Sequence, residues 1–256
     1  MSPHRHFERW APLLMLAALL VLWQVLVLAF AIPDYLFPSP WQIALQMVEF
    51  RGPLLAASWG TFWVTMVGFA LAIVVGVLLG FLIGSSRVAY AAVYPLMVGF
   101  NAVPKAAIVP ILVVWFGIGI GPGILTAFLI SFFPIMVNIA TGLATLEPEL
   151  EDVLRVLGAK RWDVLVKVGL PRAMPYFYGS LKIAITLAFV GTVLAEMTAG
   201  DSGIGNLIQT AGSQQRMPLA FAGLAVISAM AMAMYELFSA IEKHTTAWAH
   251  RGSQAN

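Results

Sequence analysis

The stretch from Trp59 to Gly84 contains no Asp, Glu, Lys or Arg. About 20 apolar residues cross the hydrocarbon core of a bilayer as a helix, so this run specifies a membrane span. Five further segments meet the same criterion: Ala11 to Ala31, Val88 to Phe116, Pro122 to Leu146, a stretch from near Ala173 to Ala199, and Pro218 to about Ile241. The third is long, carries Asn101 and Lys105, and is cut by Pro95, Pro104 and Pro110. Missing backbone donors predict a kink or break there. No stretch alternates with period two, which argues against a barrel. The predicted fold class is all-α, a polytopic membrane protein with six transmembrane helices. With 61% hydrophobic and 10% charged residues, the composition excludes an ordinary water-soluble globule.

Arg5 and Arg9 precede the first run, and Ala29-Phe30-Ala31 has the form of a signal cleavage site. The run exceeds the roughly 7–15 apolar residues of a signal core, so an uncleaved first span is expected. Lysine and arginine orient the bundle. Eleven of them fall on the side of both termini or at its boundary, only Arg51 and Arg216 fall on the other side, and Lys105 lies within a span. This bias predicts cytoplasmic termini. The expected organisation is a tail over 1–10, a first span over 11–31, a core over 57–241 and a tail over 242–256.

Ten charged residues lie between Glu147 and Arg172. Pro148 suits a first helical position, and Glu149, Glu151 and Asp152 oppose the helix dipole. Leu150, Val153, Leu154 and Leu157 share one face, and Gly158 suits a left-handed cap. A further turn or two through Trp162, Leu165 and Val168 is expected before Pro171 restarts the chain toward the membrane. Periodicity alone allows two readings of this amphipathic helix: it packs back on the bundle, or it docks on another protein.

The residue order favours the second. Asp152-Val153-Leu154, three residues, Gly158, nine residues, then Val168-Gly169-Leu170-Pro171 resembles the EAA motif of binding-protein-dependent ABC importer permeases, where the first triad is Glu-Ala-Ala. Leu36-Phe37-Pro38-Ser39-Pro40, Pro104-Lys105-Ala106-Ala107, Trp115-Phe116-Gly117-Ile118-Gly119, Phe132-Phe133-Pro134-Ile135, Ala195-Glu196 and Gly203-Ile204-Gly205 extend the resemblance over residues 10 to 250. The chain looks most like the nitrate, sulfonate and taurine branch; permeases for thiamin and riboflavin precursors share most of these stretches. The resemblance implies one amino-terminal helix ahead of a five-helix type I importer core, with a cytoplasmic coupling segment over 147–171. Asp152, Val153, Leu154, Gly158, Ala159, Leu170 and Pro171 match the motif that docks on the ATPase. It further implies two ATPase subunits that bind ATP and Mg, a second permease copy, an extracytoplasmic solute-binding protein, and a place in the bacterial inner membrane, in contact with lipid. The expected substrate is a small organic or inorganic anion such as a sulfonate, taurine or nitrate.

Charges inside spans are costly and are functional candidates. Asn101, Lys105, Asn138, Thr192 and Glu196 are the candidate translocation path. The competing reading is that Lys105 and Glu196 are hydrogen-bonded and fix helix register. Lys182 is expected to snorkel to the inner headgroups. Gly76, Gly80 and Gly84 permit close helix approach, expected within the subunit. The glycine run from Gly117 to Gly123 reads as a tight turn.

Other functions find little support. His4, His6, His244 and His250 all sit near the termini, and no P-loop occurs, so no catalytic set, resident cofactor or metal site is expected on this chain. A net charge of +2 gives no nucleic-acid footprint. An ion-gradient-driven secondary transporter is the rival from another class, but such folds pair their broken helices and only one broken span is present.

Overall fold

A computed structural model describes residues 3–144, 153, 154 and 156–246, and no strand occurs among them. The helices are α1 (Pro3–Ala29), α2 (Pro40–Glu49), α3 (Arg51–Gly84), α4 (Arg87–Ala102), α5 (Val109–Phe116) and α6 (Ile120–Ala144). There follow α7 (Arg161–Val164), α8 (Leu170–Ala199), α9 (Gly203–Ser213) and α10 (Met217–Thr245). A 3-10 turn (Lys105–Ile108) precedes α5, and a π turn (Leu165–Gly169) joins α7 to α8. Among the described residues, five helices are long and apolar enough to cross a membrane. The segments Val88–Ala102 and Lys105–Phe116, bent by 70° at Pro104, make a sixth span if taken together.

The centre of the bundle is α3 against α6 and α6 against α8. One stripe of α3 explains how close they come. Gly68, Ala72, Gly76, Gly80 and Gly84 recur every fourth residue and face α6. A Cβ on Gly80 would stand 2.7 Å from the Met136 carbonyl, and one on Gly84 2.7 Å from that of Ala140. Only glycine lets the two backbones touch. Gly191 of α8 approaches the Thr126 carbonyl of α6 in the same way. Phe69, Ile135, Ile185 and Phe189 fill the space between these backbones.

Helix α1 is almost bare, with 6% of its apolar window buried. Trp23 attaches it, 5.3 Å from the Phe37 ring and 6.3 Å from that of Phe221. Gln24, the one polar residue of this span, accepts from the Trp41 N–H at 3.1 Å and so helps cap α2.

Several expectations change. Helix α1 begins at Pro3, ahead of the span at Trp10–Ala29, and α10 runs on to Thr245, so His4, His6 and His244 are near the termini but helical. Helix α2, with a Ser39/Gln42 capping box, was not anticipated. Pro171 does not restart the chain: Trp162–Ala199 is a single 38-residue apolar helix. In the π turn the Leu170 N–H bonds the Leu165 carbonyl, five residues back. That wider turn absorbs the proline, which has no donor of its own to place.

Candidate functional site

The break in the third span is built by Pro104. Helix α4 stops at Ala102 with unpaired carbonyls, and the Lys105 ammonium answers them: Nζ donates to the Asn101 carbonyl at 3.0 Å and to its Oδ1 at 2.8 Å. A cation at a helix C-terminus is favoured by the dipole. The same ammonium sits 5.7 Å above the Phe133 ring of α6. One turn on, Asn138 is half-buried and donates to the Pro134 carbonyl at 2.8 Å.

Glu196 and Thr192 belong to a different place. Glu196 is 7% exposed and Thr192 fully buried. Thr61 Oγ1 of α3 lies 2.9 Å from each Glu196 carboxylate oxygen, and the Gly205 N–H donates to Oε2 at 2.8 Å. Thr61 Oγ1 also accepts from the Ile204 N–H at 2.8 Å. Thr65 extends the seam, 2.9 Å from Thr192 Oγ1. The first turn of α9 has no side-chain cap of its own at Ser202, so Thr61 and Glu196 cap it from two other helices. Gly203, at φ +93°, leaves the room that the carboxylate occupies. This seam ties α3, α8 and α9 together at one end of the bundle.

The other end carries the turn that follows Asp152. Asp152 lies outside the described residues. Val153, Leu154 and Val156 are helical, the Leu157 N–H bonds the Val153 carbonyl at 3.1 Å, and the Ala159 N–H bonds that of Leu154 at 3.0 Å. With Gly158 at φ +88°, this six-to-one bond is a Schellman stop. Val156 and Leu157 project outward, 88% and 78% exposed. Trp162 meets the Phe81 ring of α3 edge-on at 5.9 Å. Leu170 and Pro171 follow within the same helix.

Lys182 does not reach for headgroups. Its ammonium pairs with Glu242 Oε2 of α10 at 2.6 Å, with the two side chains 19% and 14% exposed. Sequence reasoning missed this pair, and it missed Thr61 and Thr65 as partners of Glu196. The four-residue spacing of Thr61, Thr65 and the glycines was the available signal. No group of residues able to hold a metal occurs among the described residues.

The described residues form a helical membrane bundle that presents an exposed, capped interhelical turn, the architecture of a membrane transport component. The chain belongs to the family described as binding-protein-dependent transport system inner membrane component, whose model matches residues 72–246. It is therefore an ABC importer permease subunit, and membership implies a separate ATPase and a substrate-binding protein as partners. It is 29% identical over 245 residues to the formylaminopyrimidine transport permease protein of Halalkalibacterium halodurans, covering 95% of this chain and 98% of that one. It is 28% identical over 240 residues to the taurine transport system permease protein of Escherichia coli, covering 91% and 87%. A structure of the MetNI methionine ABC transporter in an inward-facing conformation shares the fold, with a TM-score of 0.65, 18% identity, and 77% and 98% of the two chains covered.

Proposed function

We propose that this subunit moves a small anionic solute across the bacterial inner membrane, in an assembly of two permease copies, two ATPase subunits and an external binding protein. Both termini lie in the cytoplasm, which puts the Val153–Gly158 turn on the ATPase side and the Glu196 seam on the outer side. The observation that carries this reading is one continuous lever. The 38-residue helix Trp162–Ala199 spans about 57 Å at 1.5 Å per residue. It starts beside the coupling turn and ends at Glu196. At its inner end Trp162 rests on Phe81, and at its outer end Glu196 holds Thr61, so α3 and α8 are joined at both ends. A push on the coupling turn is delivered to the outer seam without passing through a loop.

Asp152, Val153, Leu154, Gly158, Ala159, Leu170 and Pro171 make up the coupling element in this reading. Lys105 and Asn101, at the break of the bent span, with Asn138, face the solute path. Glu196 and Thr192 gate it by holding the outer ends of three helices together. The taurine relative and Lys105 support an anion. A second substrate reading, a thiamin precursor, has the support of the formylaminopyrimidine relative.

The test is assembly and turnover of the reconstituted importer. A chain carrying Asp152→Ala and Gly158→Pro is expected to lose copurification with the ATPase or binding-protein-stimulated hydrolysis. Lys105→Gln is expected to lower uptake of labelled taurine. Normal assembly and transport by the double variant would remove the coupling assignment; unchanged rate and specificity with Lys105→Gln and Glu196→Gln would remove the path assignment.

A further inference from the structure

Two cavities meet at the end of the bundle that carries the Glu196 seam. The larger, 510 Å³, lies between the start of α3 and helix α9; the smaller, 230 Å³, reaches Glu196 and Asp201, and both border Gly60 and Ser202. One wall of the larger is carbon only: Phe50, Pro53, Ala56 and Ala57. The facing wall is mixed: Leu207, Ala211 and Leu219 stand beside Ser202, Asn206, Thr210 and Gln214, which recur every fourth residue from one cap of α9 to the other and form a polar stripe. The groove opens outward, and Ser202, Thr210, Gln214 and Arg216 are exposed along it. Small residues keep it open. A Cβ on Gly60 would meet nothing within 4 Å.

Arg216 stands at this groove, its guanidinium 4.5 Å from the centre of the Phe50 ring. It is the one charged residue lining the groove, and no carboxylate pairs with it among the described residues. The chain takes a strained path to put it there. Gln215 sits at φ +59°, where glycine is the usual occupant, and the Arg216 N–H closes α9 on the Ala211 carbonyl at 2.8 Å. The groove falls within the roughly 300–1,000 Å³ of small-molecule sites, which are likewise mostly apolar with a few placed polar groups.

We propose that this groove is a solute site for a small organic anion. Its sulfonate or carboxylate head lies at Arg216, its carbon body lies against Ala56 and Ala57, and Thr210 and Gln214 hydrogen-bond to it. The inference rests on the permease reading and adds the place where solute is first held after leaving the binding protein. An anionic lipid headgroup offers the same chemistry, so the test separates the two sources.

The chain has no cysteine, which makes a single introduced thiol a clean reporter. The assembled importer carrying Thr210→Cys is placed in phosphatidylcholine nanodiscs, and maleimide labelling of this chain is timed with taurine, with ethanesulfonate and with uncharged ethanol. The sulfonates are expected to slow labelling of Thr210→Cys but not of Asp34→Cys, and ethanol to slow neither. Adding Arg216→Gln raises the sulfonate concentration needed by about tenfold, the effect of losing one charge-assisted bond. Gly60→Leu, whose Cβ has open space and whose side chain would occupy the groove, is expected to abolish protection of Thr210→Cys. Equal labelling with and without the sulfonates, in an importer whose ATPase still responds to its binding protein, overturns the solute site and leaves the permease reading standing. Protection by phosphatidylglycerol in the nanodisc and not by sulfonate also overturns it, in favour of lipid. An ATPase that ignores the binding protein strikes the permease reading, and the solute site with it.

Discussion

Thr61→Val isolates the seam with little change of shape, because a methyl replaces the hydroxyl. Thr61 Oγ1 serves both sides: it donates to Glu196 and accepts from the Ile204 N–H at 2.8 Å. Ile204 is fully buried, so its orphaned N–H costs about 1–3 kcal/mol, and the hydrogen bond to the Glu196 carboxyl contributes about 0.5–3 kcal/mol. Against that sum, pair couplings inside membrane bundles average only about 0.6 kcal/mol and reach about 1.7, because displaced groups find other partners. Here the valine methyl fills the space a water would need, and Ser202 offers no side-chain cap. The larger figure therefore governs, less the Gly205 bond that Glu196 keeps, and the expected loss is about 2–4 kcal/mol. At about 2–4 °C per kcal/mol for a chain of this size, the denaturation midpoint of the purified subunit in detergent falls by roughly 5–15 °C, read by gel filtration after heating. Thr61→Ser, which keeps the hydroxyl, stays near the parent. A Thr61→Val chain as heat-stable as the parent, or more stable than Thr61→Ser, refutes the capping argument.

Gly80→Ala puts a methyl 2.7 Å from the Met136 carbonyl and is expected to cost about 1–3 kcal/mol as the two backbones part, whereas Gly99→Ala, inside α4 and meeting nothing, is expected to raise stability by about 0.5–1 kcal/mol, both read as shifts of the melting temperature. Gly158→Ala has open space but the wrong sign of φ, so a penalty of about 1 kcal/mol should appear as weaker ATPase copurification with normal membrane insertion. Lys182→Met or Glu242→Leu alone leaves a mostly buried charge unpaired and should lower thermal stability by about 2–3 kcal/mol, less than the roughly 3–5 of a fully buried pair. The two together should recover most of it, and a double variant no better than its worse parent would show that the pair does more than cancel charge.

How much of this was legible depends on distance along the chain. The spans were readable because hydropathy is a local sum, and a break in the third because missing donors act within one turn; that Pro104 alone makes it, while Pro95 stays inside α4 and Pro110 opens α5, was not readable. The Gly76, Gly80 and Gly84 repeat announced close approach because a helix returns to the same face every four residues. Glu196 was visible as an anomaly, a charge in an apolar run, but its partner Thr61 stands 135 residues away and only folding brings them together. Lys182 and Glu242, 60 residues apart, were misread for the same reason. Pro171 misled because a proline is a local stop signal, whereas the π turn before it accommodates the proline and carries the helix through.

The glycine contacts also restrict how this subunit moves. Gly68, Gly76, Gly80 and Gly84 bring α3 to within touching distance of four α6 carbonyls, and Gly191 brings α8 to a fifth. Sliding α3 along α6 by one residue would drive Val77 or Phe81 into backbone, so this interface has one register and no shear. With α3 and α8 joined at Trp162 and again at Glu196, the three helices turn as one body. Motion must then be taken up where packing is thin and bonds are few: at the bend of Pro104 and along the nearly bare α1. Packed cores switch between discrete arrangements rather than deform, so this packing predicts a rigid rotation hinged at the broken span. Disulfide-trapping α3 to α6 should therefore leave transport intact, whereas tethering α4 to α6 across Lys105 should stop it.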